Sequence, residues 1–323
     1  ADTTISALAD RLLVSQQPVI ICGHEVGSRR ALAPAADLAE LIGAAVYQDT
    51  IPTAAPFVST HDCYLGALTR NQQDVSQRLK DYDLLICLGT DVLRMSTPSD
   101  TPPLPQGMPI VQISERNEDL AKNYPTEIAI QANVRETLAA LNDAIRARCT
   151  LDQAEDAVRR VEALRASNWS SQRDALVSSL EARTGPVIEP DVLSLRIVQL
   201  LPKDTILVDE GLTSSQAVTR LFAYQDAWSY YGLASGGIGF AVAGAIGIRL
   251  AVPNRPLVAL IGDGSAMYNI QALWTAAHLR LPIVYVIANN GGYRILKQRI
   301  RKRYGLEHPV GMDLSAPPST LRL

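Results

Sequence analysis

The chain has 323 residues, 47% hydrophobic and 20% charged, with a formal net charge of −3. That length holds two domains with cores of their own, and the composition excludes a disordered chain. The slight acidity speaks against nucleic acid as a partner, and no apolar run reaches the roughly 18 to 20 residues a spanning helix needs.

The amino terminus, ADTTISALADRLL, carries Asp2 and Asp10 where a secretory signal would carry basic residues. The four cysteines, Cys22, Cys63, Cys87 and Cys149, show no C-x-x-C spacing. They read as reduced thiols of a cytoplasmic protein without membrane contact.

From residue 18 onward, short β-branched runs alternate with alanine-rich helical stretches: PVIICG (18–23), ALAPAADLAELIG (31–43), AAVYQD, LLICLG (84–89), PIVQIS (109–114) and IAIQA (128–132). This rhythm predicts a doubly wound parallel α/β domain over 1–150. Gly23 and Gly89 each close a strand, but G-x-G-x-x-G is missing at both, so they read as turn glycines rather than a dinucleotide fingerprint.

Between Thr150 and about Arg183 the pattern is that of a charged helix with Val, Leu and Trp on one side, followed by GPVIEP. A helical linker is expected over 151–189 and a second α/β domain over 190–323. Asp191 is expected to cap its first helix, and TILVDEG (205–211), SSQAVTRLF and PLVALIGDG (256–264) follow. The chain ends on GMDLSAPPSTLRL with no closing strand or helix, so this domain reads as interrupted.

The strand VALIG runs into Asp263, flanked by Gly262 and Gly264, with a helical segment next. In a parallel sheet this puts Asp263 at the carboxyl edge, where ligands bind; the glycines admit a phosphate to the backbone, and Ser265 adds a hydroxyl. Twenty-seven residues separate Asp263 from Asn290, about what one helix and one strand consume, so the two can meet. A carboxylate, an amide oxygen and the Gly292 carbonyl form the hard oxygen set that Mg²⁺, or Ca²⁺, takes together with phosphate.

The segment GDGSAMYNIQALWTAAHLRLPIVYVIANN resembles the thiamine diphosphate signature of the pyruvate-oxidase-like family of decarboxylases, carboligases and acetolactate synthases. Within it, ALWTAA and SYYGLASGGIGFA (229–241) look most like the benzoylformate decarboxylase branch. The resemblance implies thiamine diphosphate held through a metal on Asp263, Asn290 and the Gly292 carbonyl, with Thr213 and Ser265 as diphosphate donors beside Gly262, Gly264 and Tyr293. Ile238 matches the bulky residue that bends the cofactor, and the Gly236 carbonyl matches the acceptor of its 4′-amino group. Leu212, Ile295 and Leu296 match pocket-lining positions. Leu212 and Arg299 depart from the branch's hydroxyl and aromatic residues, which puts phenylglyoxylate specificity in question.

The implied reaction is decarboxylation of a 2-oxo acid to an aldehyde, with a carboligase as the alternative. A third reading, from another class, is a non-catalytic nucleotide or FAD binder using the first sheet. His61, in STHDCYLG, matches a segment that supplies an active-site histidine in that branch, and both a proton-transfer role and a loop role stay open. His24, His278 and His308 read as structural. The basic run Arg294, Lys297, Arg299, Arg301, Lys302 and Arg303 reads as a solvated helix face. The family's cofactor lies between subunits, so a homodimer or homotetramer is implied, with an activating Glu on a pyrimidine-binding domain that precedes the middle domain and is absent from this sequence. The chain is thus expected to be the anchoring part of a longer enzyme and to be inactive alone.

Overall fold

The computed structural model describes residues 2–95, 99–234, 237–307 and 310–314. The chain divides into two compact units, one of Ala1–Ser178 with Phe222–Ser229, the other of Ser179–Leu221 with Tyr230–Leu323.

The first unit is built on a six-stranded parallel sheet of β1 (Pro18–Cys22), β2 (Ala45–Gln48), β3 (Tyr64–Ala67), β4 (Leu84–Leu88), β5 (Ile110–Ser114) and β6 (Ile128–Gln131), in the order β3-β2-β1-β4-β5-β6. β1, β4 and β5 are buried along their whole length; β1 and β4 read as unbroken apolar runs for that reason, while β5 also buries Gln112 and Ser114, whose side chains are hydrogen-bonded. Successive residues alternate between two cores. Ile20, Ile86 and Val111 join Leu8, Leu38 and Leu138 on one face, while Val19, Ile21 and Leu85 join Val75 and Leu79 on the other. A doubly wound sheet requires this two-sided burial.

The stretch 151–183, expected as one helix, forms two, Leu151–Leu164 and Trp169–Glu181. Asn168 makes the break: its side chain accepts the Ser171 N–H at 3.0 Å, and Trp169 turns into the core. Much of this stretch counts with the first unit, as does Phe222–Ser229, where Ser59 and Tyr224 exchange bonds of 3.0 and 2.9 Å.

The second unit carries a four-stranded parallel sheet of β7 (Ile206–Glu210), β8 (Tyr230–Gly232), β9 (Leu257–Gly262) and β10 (Val284–Ala288), in the order β10-β9-β7-β8. Ile206, Val208, Ala259 and Ile261 pack under the small-residue face of helix Phe240–Ala251. The two parallel-sheet units match the expected fold class. Among the described residues, no helix is long and apolar enough to cross a membrane.

Candidate cofactor site

β9 and β10 run in register, with Gly262 opposite Ala288, so the residues that follow each strand emerge side by side. Asp263 is buried at the end of β9, and its Oδ2 accepts the Gly291 N–H at 2.9 Å. The Asn289 side chain accepts the same N–H at 3.0 Å, and Asn290 Oδ1 accepts from Gly292 N at 3.2 Å. These short loops over the backbone fold the Asn pair into a turn, with Gly291 in the left-handed region at φ +67°. The spacing argument holds because parallel register delivers both ends to one edge.

β7 is the other neighbour of β9, with Glu210 opposite Ile261. The turn Leu212–Ser214 after it therefore stands beside Gly262 and Asp263. Thr213 is buried there, and Leu212 sits at φ +49°, a conformation that costs a branched side chain about 1 kcal/mol or more. Helix Arg294–Tyr304, which carries half-buried Ile295 and exposed Leu296, approaches the same turn. Tyr293 lies against Gly264, where an added Cβ would come within 2.8 Å of the ring. That contact explains the glycine at 264. Ile238 is half-buried, and Gly236 lies outside the described residues, as does His308.

Ser265 is 2% exposed, and its hydroxyl has no hydrogen-bond partner. Leaving such a group unpaired costs about 1 to 3 kcal/mol, and buried hydroxyls are rarely left so.

The helix expected after Asp263 is split into one turn, Asp263–Ala266, and a later piece, Ala272–His278. Asn269 marks the interruption, because its Nδ2 donates to the Gly239 carbonyl at 2.7 Å. Backbone and hydroxyl donors near Ser265, rather than the dipole of a long helix, are therefore what this edge offers an anion. Of the basic run, Lys297 pairs with Asp313 and Arg301 with Glu307, and the remainder is exposed.

His61 belongs to the first unit. Its Nδ1 accepts the Cys63 N–H at 3.2 Å, its Nε2 lies 3.1 Å from Glu40, and its ring meets the edge of Phe57. In the same unit, the order of strands reverses between β1 and β4, where an α/β sheet offers a ligand crevice. Glu25 fills the gap between the two strand ends. It is buried and accepts from Ser114 Oγ and Glu115 N, both at 2.9 Å. A Cβ on Gly89, at φ +63°, would stand 2.5 Å from that of Glu25, and one on Gly23 would stand 2.3 Å from that of Thr90. The two glycines thus serve close packing of loops, and a fixed carboxylate at this point opposes a nucleotide's phosphates.

Residues 5–141 match the thiamine pyrophosphate enzyme central domain, and residues 212–321 match the C-terminal TPP binding domain of the same enzymes. The chain belongs to the thiamine pyrophosphate enzymes. It is 30% identical over 297 residues to the benzoylformate decarboxylase of Pseudomonas aeruginosa, covering 92% of this chain and 52% of that one. Among solved structures, the thiamine diphosphate-dependent 4-hydroxybenzoylformate decarboxylase of Rhodococcus jostii RHA1 superposes with a TM-score of 0.79 at 28% identity, over 97% of this chain and 56% of that chain. The benzoylformate decarboxylase of Polynucleobacter necessarius shares the fold, with a TM-score of 0.82 at 22% identity over 97% and 56% of the two chains. The chain thus spans about half the length of the relatives it matches.

Proposed function

We propose that this chain anchors thiamine diphosphate through a divalent metal, Mg²⁺ or Ca²⁺, in an enzyme that decarboxylates a 2-oxo acid of the benzoylformate kind. The observation that carries the reading is the buried, unpartnered Ser265 hydroxyl beside Asp263. A hydroxyl taken from water with no protein partner suits a site whose partner is an anionic ligand.

The donor set suits the same group. Among the described residues no group of three His, Cys, Asp or Glu side chains is placed to hold a metal ion by itself. Asp263 commits Oδ2 to Gly291 and leaves Oδ1 for an ion. The Asn290 amide oxygen and the Gly292 carbonyl each keep a second lone pair, and hard oxygens of this kind, completed by phosphate and water, are what Mg²⁺ takes. Ser265 and Thr213 would donate to the diphosphate.

When bound, the thiazolium ring supplies the electron sink that loss of CO₂ from a 2-oxo acid requires. The protein's part is placement. Ile238 would present an aliphatic surface to the cofactor's rings, and Leu212, Ile295 and Leu296 would bound the acyl side of the substrate. His61 can move a proton only if its Nε2 leaves Glu40. A homodimer or homotetramer is part of this reading, supported by exposed Trp274, Met267 and Tyr268 on the second unit. So is a cytoplasmic setting, supported by free Cys22, Cys63 and Cys87, whose thiols burial pushes up, that of Cys63 to about 12.

The test uses the full-length enzyme stripped of cofactor. Calorimetric titration with thiamine diphosphate is expected to show binding that depends on Mg²⁺, and benzoylformate is then expected to give benzaldehyde and CO₂. Acetolactate formed from pyruvate, without benzaldehyde, would reassign the enzyme to the carboligases. Absence of cofactor binding would overturn the reading.

A further inference from the structure

β7 ends on two consecutive carboxylates that point to opposite faces and do different things. Asp209 closes its own turn, accepting from Gly211 N and the Tyr230 hydroxyl, both at 3.0 Å. Glu210 is 1% exposed, and its two oxygens accept the N–H groups of Gly239 at 2.5 Å and Ala241 at 2.6 Å. Those groups open the twelve-residue helix Phe240–Ala251. A helix usually satisfies its first N–H groups with a side chain from its own N-cap residue. Here the N-cap is Gly239, at φ +103°, and the cap comes from a strand 29 residues away.

Gly239 is also held from the opposite side. Asn269 Nδ2 donates to its carbonyl at 2.7 Å, and a Cβ at this position would come within 2.7 Å of Tyr268 Cβ. Gly239, the residue after Ile238, is therefore fixed at both its own N–H and its own carbonyl. Bonds from backbone N–H to a buried carboxylate are short and about twice as strong as neutral ones, and the helix dipole adds to them.

We infer that Glu210 is a positioning residue: it sets the backbone that carries Ile238, and through it the support given to the cofactor's rings, while taking no part in holding metal or diphosphate. This rests on the cofactor reading above. Glu210 ties the Ile238 loop to the strand that continues into Leu212 and Thr213, so the surface facing the rings and the turn beside the diphosphate share one frame.

The experiment titrates full-length enzyme, with Mg²⁺ present, against two probes: thiamine diphosphate, which has rings, and inorganic diphosphate, which has none. Glu210→Gln puts an amide N–H against a backbone donor, and Asn269→Ala frees the other side of Gly239. Each is expected to weaken thiamine diphosphate by about tenfold and to leave inorganic diphosphate unchanged. Ile238→Ala should give a similar loss, and the double variant Glu210→Gln/Ile238→Ala should lose little beyond the larger single effect. Equal loss for both probes, additive losses in the double variant, or no loss in either single variant would overturn the inference. If Glu210→Gln does not fold, Asn269→Ala, on a half-buried side chain, decides by the same criteria. A wild-type enzyme that binds neither probe overturns the cofactor reading and this inference with it; one that binds both tests Glu210 alone.

Discussion

The carboxylate of Asp263 accepts the backbone N–H of Gly291 at 2.9 Å, tying the end of β9 to the turn that follows β10. One oxygen of the acid thus shapes the turn that presents Asn290 and Gly292, and the other is the one proposed to meet an ion. Asp263→Ala should remove both contributions. Affinity for thiamine diphosphate in Mg²⁺ is expected to fall by about a hundredfold or more, and Asp263→Asn, which can still accept from Gly291, should restore the turn but little of the affinity. Calorimetric titration of both variants checks this.

Ser265→Ala makes the opposite demand on stability and binding. The hydroxyl is buried without a partner, so its removal is expected to leave the cofactor-free enzyme unchanged or to stabilise it by about 1 kcal/mol. The same change should weaken thiamine diphosphate several-fold. Melting temperatures with and without cofactor would separate the two effects, and a loss of stability in the cofactor-free protein would contradict the account.

In the first unit, Gly89→Ala places a Cβ 2.5 Å from that of Glu25 at φ +63°. Strain and overlap together are expected to cost about 3 kcal/mol, read from the midpoint of urea unfolding. A neutral outcome would mean that the loop bearing Glu25 moves aside easily, and the crevice between β1 and β4 would then be open to a ligand after all.

Asp49 sets a pH dependence. Burial raises its carboxyl from the ordinary 3.8 to about 7, against the Thr90 hydroxyl bond and nearby Arg94, which pull it down. The folded state therefore keeps a proton that the unfolded chain releases. The contribution is fully present below the ordinary value and is lost as pH rises through about 7. Asp49→Asn, whose amide oxygen can still accept from Thr90, should flatten the decline in melting temperature over that window and stabilise the protein above it.

Periodicity along the chain was enough to place the central parallel strands, because a strand buried on both faces is largely apolar, as PVIIC and LLICL are, whereas the short β3 and β8 carried too little pattern to be read. The metal and diphosphate candidates were legible for a related reason. G-D-G and N-N each end a strand, and one helix plus one strand is the distance parallel pairing demands. Helix continuity was less legible. Asn168 and Asn269 each interrupt a stretch whose residues favour helix, and they do so through a bond to a backbone N–H or carbonyl. Leu212 at positive φ left no mark in the sequence, since its neighbours impose the conformation.

By itself, then, the sequence determined the two α/β units and the thiamine-enzyme signature, and it singled out the residues proposed to meet a metal and a diphosphate; all of these depend on local pattern and fixed spacing. Only the tertiary structure decided that Ser265 is buried unpaired, that Glu25 closes the first unit's crevice, and that Glu210 and Asn269 grip Gly239 from two sides. The last two depend on hydrogen bonds between residues roughly 30 to 90 positions apart, and such partners carry no signature in either one's neighbourhood.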